Sequence, residues 1–231
     1  LVPEQCIIGY VEAAQSYGAE IRAREPVTDF STTSNDGVRV TTDKGTYEAD
    51  ELVITAGAWT HKFLPDLSEE LTPVRQVLAW LQPSDPAQFD ASNFPVFIHG
   101  TKDDHYYGFP QYDVPGFKFG RFNHFEQPVD PDQMEREPNK KDEELLRSYA
   151  QRYFPNGSGA TMRLSTCMFT NTPDEHFIID TLPDCSQITV GAGFTGHGFK
   201  FASAIGEVLA DLAIDGETSA DIDLFRIDRF K

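Results

Sequence analysis

The chain has 231 residues, 39% of them apolar, with 37 acidic against 19 basic residues and a net charge of −18. That length builds one large domain or two small ones, and the acidity argues against nucleic acid or an anionic membrane as a partner. No apolar run approaches the roughly 18 residues of a membrane-spanning helix, and Cys6, Cys167 and Cys185 form neither a disulfide framework nor a CxxC.

No His/Cys cluster has zinc spacing, so no metal is expected. The cysteine usage points to a reducing, cytoplasmic home. An acidic surplus spread along the whole chain also fits a salt-adapted cytoplasm, where charge repulsion is screened. The start, LVPEQ, lacks the basic and apolar regions of a signal peptide and has no initiator Met.

Pro3 to Ala19 reads as a helix: Pro3 suits the first turn, Ile7, Val11 and Ala14 make a stripe, and Gly18 ends it. Glu20–Arg24 is a strand candidate. Residues 38–41 and 46–48 around Asp43-Lys44-Gly45 read as a hairpin. Leu52–Thr55 reads as a buried strand running into Ala56-Gly57-Ala58-Trp59, with a short helix after it to Phe63 or Leu64.

From about 71 to 170 the pattern changes. Val74–Leu81, Val96–Ile98, His105–Phe109 and Phe117–Phe122 are aromatic- and Val-rich strands separated by Pro, Gly and Asp turns. Lys141–Phe154 is an amphipathic helix, and Met162–Thr170 another strand. Then Phe177–Ile179 and Ile188–Val190 are strands, and Phe199–Ile214 a helix ended by Asp215-Gly216. The fold class is therefore α/β (mixed α+β): an α/β domain, sections 1–70 and 171–231, interrupted by a sheet-rich antiparallel domain, 71–170.

The segment ITVGAGFTGHGFKFAS, Ile188–Ser203, is the most informative. A strand breaks into Gly191, Gly193, Gly196 and Gly198, and a helix follows, with His197 and Lys200 at its start. Free N–H groups and the dipole there favour an anion; the same glycines also serve wherever a helix packs closely on a sheet. The spacing is not GxGxxG.

Lys118, between Phe117 and Phe119, is either an edge residue with a solvated tip or a buried amine. His124, in the following loop, reads as a surface residue by its surroundings. Tyr106 and Tyr107 alternate faces, so one points inward. Cys167 is mid-strand, where cysteines are commonly inert core residues; Cys6 reads the same way, and Cys185, in a turn, as exposed. Asp174 and Glu175 read as turn and cap groups. GxSxG, HExxH and P-loop motifs are absent from the sequence.

Together ADELVITAGAW, LTPVRQ, YYGFP, GFKFG, CMFTNTPDEHFIID, GFTGHGFKFAS and the tail Leu224-Phe225-Arg226 resemble the sarcosine oxidase and N-methyltryptophan oxidase family of flavin-dependent amine oxidases. The motifs run in family order over nearly the whole chain. Such proteins begin with a strand and a GxGxxG turn for the ADP half of FAD, which this sequence does not contain. The chain thus looks like the C-terminal three-fifths of a member, and the family's substrate-pairing arginine falls outside it.

The resemblance implies FAD as cofactor, attached through sulfur at Cys167, and a small amino acid substrate with oxygen as co-substrate. It implies that Lys118 holds a water near flavin N5 and helps activate oxygen. Tyr107 becomes an active-site tyrosine, and Lys200 the partner of the substrate carboxylate. His197 with Gly193, Gly196 and Gly198 becomes the loop against the pyrimidine end of the flavin, and Gly57, Ala58 and Trp59 a segment beside FAD. Two positions depart from the pattern. Phe169 stands where the family often has a tyrosine, and Phe122 where sarcosine oxidases have a histidine; His124 takes that role if the loop carries extra residues. The implied reaction is oxidation of a secondary, N-methyl amino acid by hydride transfer to flavin, with hydrogen peroxide formed from oxygen. A dehydrogenase using another acceptor and a non-catalytic remnant unable to hold FAD are the alternatives; the oligomeric state is open.

Overall fold

The computed structural model describes residues 1–102 and 104–231. The chain divides into two units, one of Leu1–Leu71 with Thr172–Lys231 and one of Thr72–Asn171.

In the first unit, helix α1 spans Pro3–Ser16 and ends at Gly18, whose φ is +93°. Of its stripe, Ile7 is exposed and Val11 and Ala14 are half-buried; Ile8 and Tyr10 are exposed as well. Strands β1 (Val27–Thr32), β2 (Val38–Thr42) and β3 (Thr46–Ala49) form an antiparallel sheet in that order. The expected hairpin is β2–β3, with Thr41 opposite Thr46. The expected strand at Glu20–Arg24 does not form; β1 forms instead and pairs with β2.

Strand β4 (Leu52–Ile54) runs into a 3-10 turn at Gly57–Trp59 and then α2 (Thr60–Phe63). Only Ile54 of β4 is buried, and Val53 is exposed, so this strand is less buried than its composition suggests.

The second unit holds β5 (Thr72–Leu81), β6 (Phe97–Gly100), β7 (His105–Phe109), β8 (Phe117–Arg121), α3 (Lys140–Tyr153) and β9 (Thr161–Asn171). The strands make one antiparallel sheet in the order β6-β7-β8-β5-β9. Side chains alternate across it. One face packs on α3: Val77, Ala79, Leu81, Phe117 and Phe119 meet Leu146, Tyr149 and Ala150. Burying a side chain of this size contributes about 1.5–3 kcal/mol, and Phe117 and Phe119 are completely buried. Tyr106 joins this core and stacks on Tyr149 at 3.6 Å between ring centroids. Asn139 caps α3, accepting from Lys141 N and Asp142 N, while Asp142 accepts from Asn139 N at 2.8 Å.

Back in the first unit, β10 (Ile178–Leu182) and β11 (Cys185–Ala192) pair antiparallel, and β11 pairs parallel with β4. Helix α4 (Ala202–Asp215) follows a 3-10 turn at Phe199–Phe201 and ends at Gly216, φ +74°. Its Leu209 and Leu212 pack with Phe177, Ile179 and Ile222. The C-terminal segment is pinned by carboxylates. Asp174 takes two hydrogen bonds from Arg229, at 2.7 and 3.2 Å, and Asp180 accepts from Arg226 and from Ile227 N. Arg229 holds the Asp174 carboxyl down to about 2, against the cost of its partial burial. Cys185 opens β11, half-buried against the core, not exposed in a turn. Among the described residues no helix is long and apolar enough to cross a membrane.

Candidate active site

The face of the five-stranded sheet turned away from α3 carries the chemistry-bearing groups of the second unit. Register fixes which residues share it. Trp80 lies opposite Lys118 on one side and Arg163 on the other; Gln76 lies opposite Cys167, and Val74 opposite Phe169. Tyr107 lies opposite Gly120, and Phe109 opposite Lys118. Alternation therefore places Tyr107, Lys118, Cys167 and Phe169 together, all half-buried, whereas Phe117 and Phe119 beside Lys118 are fully buried on the other face.

Lys118 is on an interior strand of the sheet, so it is no edge residue. Its Nζ lies 5.0 Å from the Trp80 ring centroid and 5.1 Å from that of Phe109, in cation–π contact with both. Burial pushes the Cys167 thiol up, and the Lys118 ammonium pulls it back. Arg163 instead stacks over Trp80, at 5.3 Å. Burial also pushes the Tyr107 phenol up, with Cys167 adding to the effect, so Tyr107 stays a neutral hydroxyl.

Gly120 explains how Tyr107 fits. A Cβ at Gly120 would stand 2.9 Å from the Tyr107 hydroxyl and 3.0 Å from Cζ. The bare backbone lets the ring lie across β8. The second glycine of GFKFG is thus a seat for Tyr107, a role that sequence reasoning does not find.

His124 is not a surface residue: it is 1% exposed. Its Nε2 is 2.9 Å from Asp142 Oδ1, and Arg75 makes two 2.9 Å hydrogen bonds to the same carboxylate. Burial outweighs Asp142 and lowers the His124 pKa, so the imidazole is neutral and donates from Nε2. Nδ1 has no partner among the described residues. Asp142 is held down to about 2: burial opposes ionisation but loses to Arg75, Asn139 N and His124. Asp142 lies on α3, so the His124 side chain is committed to the helix and is not gathered with Cys167 and Lys118.

In the first unit the turn after β11 is shaped by packing. Gly193 has φ +63°, and a Cβ there would be 2.4 Å from Thr172 Cγ2; at Gly198 it would be 2.6 Å from Phe194. The packing explanation for these two glycines therefore suffices. Thr195 holds φ +42° while fully buried, its hydroxyl donating to Gly193 O at 3.1 Å. His197 Nδ1 donates to Thr195 O at 2.9 Å, and its ring lies against Phe177. Lys200 is exposed and donates to His197 O at 2.9 Å, so its charge is partly taken up within the turn. Of the Gly57–Trp59 segment, Ala58 is buried, Gly57 has φ +56° with open space where a Cβ would stand, and Trp59 is exposed.

Residues 1–212 match the model of the family described as FAD dependent oxidoreductase. The chain belongs to that family.

Among curated proteins it is 40% identical to a monomeric sarcosine oxidase of Bacillus sp. (strain NS-129), over 99% of this chain and 60% of the relative. It is 37% identical to an N-methyl-L-tryptophan oxidase of Yersinia pestis (strain Pestoides F), over 96% of this chain and 58% of the relative. The chain thus spans about three-fifths of the length of these relatives. Among solved structures, NikD, an unusual amino acid oxidase, matches with TM-score 0.75 and 28% identity over 93% of this chain and 57% of that chain. The L-proline dehydrogenase of P. horikoshii shares the fold with TM-score 0.82 at 22% identity, over 99% of this chain and 59% of that chain.

The residues of the FAD dependent oxidoreductase chain fit a flavin. A half-buried thiol on the sheet face sits under the field of a lysine ammonium, and Phe109 and Phe169 supply apolar surface for an aromatic ring. Among the described residues no group of three or more His, Cys, Asp or Glu is placed to hold a metal ion.

Proposed function

We propose that this chain is the larger part of an FAD-dependent amine oxidase acting on a secondary, N-methyl amino acid. The observation that carries the reading is the placement of Cys167, Lys118 and Tyr107 on one half-buried face of the five-stranded sheet. In this reading Cys167 attaches the flavin through its sulfur, and FAD when bound supplies acceptance of a hydride and its return to oxygen as hydrogen peroxide.

Lys118 keeps a positive charge where oxygen gains negative charge, an electrostatic role that a low-dielectric face strengthens. Trp80 and Phe109 lie against its ammonium in cation–π contact. Tyr107, kept neutral by burial, presents a hydroxyl for orienting substrate. In the first unit, Lys200 receives a substrate carboxylate; Gly193, Gly196, His197 and Gly198 are assigned to cofactor binding, as are Gly57, Ala58 and Trp59. The substrate leaves as an imine, which water hydrolyses. His124 is assigned a supporting role behind the sheet, not contact with the reacting atoms.

The test is oxygen uptake by the full-length protein with a panel of N-methyl amino acids, with peroxide measured in parallel. One peroxide per oxygen consumed supports an oxidase. Oxidation of amine only with an added dye would favour a dehydrogenase, and no oxidation with any acceptor would remove the proposal.

A further inference from the structure

Phe122 and Phe169 stand in contact, ring centroids 5.4 Å apart and planes tilted by 46°. Phe169 is two residues beyond Cys167 on β9, hence on the same face and about 7 Å along the strand. Phe122 follows the end of β8, four residues beyond Lys118, and the same alternation puts it on that face. The pair therefore forms a wall beside the two groups to which the proposed chemistry is assigned. Neither ring offers a hydrogen-bond donor or acceptor.

The loop carrying Phe122 is held in an unusual shape. Asn123, Phe125 and Glu126 have φ of +54°, +54° and +49°. Side chains with a Cβ avoid this region, and a cluster of them persists only where the surroundings over-determine it. Here they do. Asn171 donates to Asn123 Oδ1 at 2.7 Å, His124 N donates to buried Gln76 Oε1 at 3.0 Å, and the His124 ring is tied to Asp142, itself gripped by Arg75. Gln76 is opposite Cys167 in the sheet. The ties run behind Phe122 and leave its ring against Phe169.

We propose that the Phe122–Phe169 pair is the specificity wall of the site and selects N-methyl amino acids with an apolar aliphatic or aromatic side chain over sarcosine. This deepens the amine oxidase reading and rests on it. A substrate without a side chain leaves the wall uncovered; an apolar side chain removes both surfaces from water, and each methylene so covered is worth roughly 10-fold or more in kcat/KM. His124, with Asp142 and Arg75, is then a positioning group for the wall.

The experiment compares sarcosine, N-methyl-L-leucine and N-methyl-L-phenylalanine as substrates of the full-length holoenzyme. In parallel, phenylacetate and acetate are titrated calorimetrically as non-oxidisable ligands. The expected result is kcat/KM at least 10-fold higher for the apolar substrates and tighter binding of phenylacetate. Phe169→Ala and the milder Phe169→Leu should erode that preference, chiefly through KM, lowering kcat/KM for the apolar substrates several-fold more than for sarcosine. Equal or better turnover of sarcosine, or an equal loss on all substrates, overturns the wall while leaving the oxidase reading intact. If no amine is oxidised, the oxidase reading falls, and equal binding of the two carboxylates would remove the wall as well.

Discussion

Lys118 and Cys167 lie on one face of the sheet, on the two strands that flank β5, and the lysine's charge opposes the burial that would keep the thiol protonated. A cysteine mid-strand is ordinarily inert; at Cys167 burial still outweighs the nearby cation, which pulls the raised thiol back only in part. The same cation is in cation–π contact with two aromatic rings, Nζ lying 5.0 Å from the Trp80 centroid and 5.1 Å from that of Phe109.

Replacing Lys118 by Met keeps the aliphatic stem and removes the charge. The full-length enzyme should then reoxidise with oxygen at least 100-fold more slowly, while anaerobic reduction by substrate slows much less. Stopped-flow measurement of the two half-reactions separates them; equal slowing of both would assign Lys118 to substrate instead.

Asp142 anchors the buried cluster, so Asp142→Ala leaves Arg75 charged and without its carboxylate in the interior. A loss of about 3–5 kcal/mol is expected in urea unfolding. Two windows should appear in the pH dependence of the wild type. Asp142 has a folded pKa of about 2 against an ordinary 3.8, so its contribution is complete above about 3.8 and is lost as pH falls toward 2. His124 has a folded pKa below its ordinary 6.5, so the unfolded chain takes the proton first and stability declines as pH falls below 6.5. His124→Gln should flatten the upper window only; an unchanged upper slope would show that another group titrates there.

Glycine substitutions should separate by environment. Gly193→Ala meets both a positive φ of +63° and Thr172 at 2.4 Å, so destabilisation of at least about 1–3 kcal/mol is expected. Gly206→Ala, in α4 with nothing within 4 Å, should stabilise by about 0.5–1 kcal/mol. Thermal unfolding of the two variants decides, and a stabilised Gly193→Ala would contradict the packing described for the turn.

Lys200→Met should weaken carboxylate inhibitors of the full-length enzyme by 10-fold or more and leave neutral amines within about 2-fold. Equal effects on both classes would remove Lys200 from substrate binding and leave it with its bond to His197 O.

Strand and helix periods in the sequence locate most of the elements, because β5, β8 and β9 carry alternating or continuous apolar patterns. Val27–Thr32 is hidden because only Phe30 of that strand is even partly buried, which leaves no alternation to read. The burial of His124 is hidden for a different reason. Its partners Asp142, 18 residues away, and Gln76, 48 residues away, come to it only through the sheet and α3. Gly120 faces Tyr107 across a hairpin, yet the register that pairs them is not written in either segment alone. The roles of Cys167, Lys118 and Lys200 come from motif resemblance; geometry supplies the physical setting of each.

The most direct test of the account is the fate of flavin when the full-length protein is denatured in acid and digested. Yellow colour is expected in the precipitate and a flavin mass on the peptide containing Cys167, with Cys167→Ser releasing the flavin to the supernatant. Flavin on a Cys185 peptide, or an unmodified Cys167 peptide with all flavin free in solution, would contradict it.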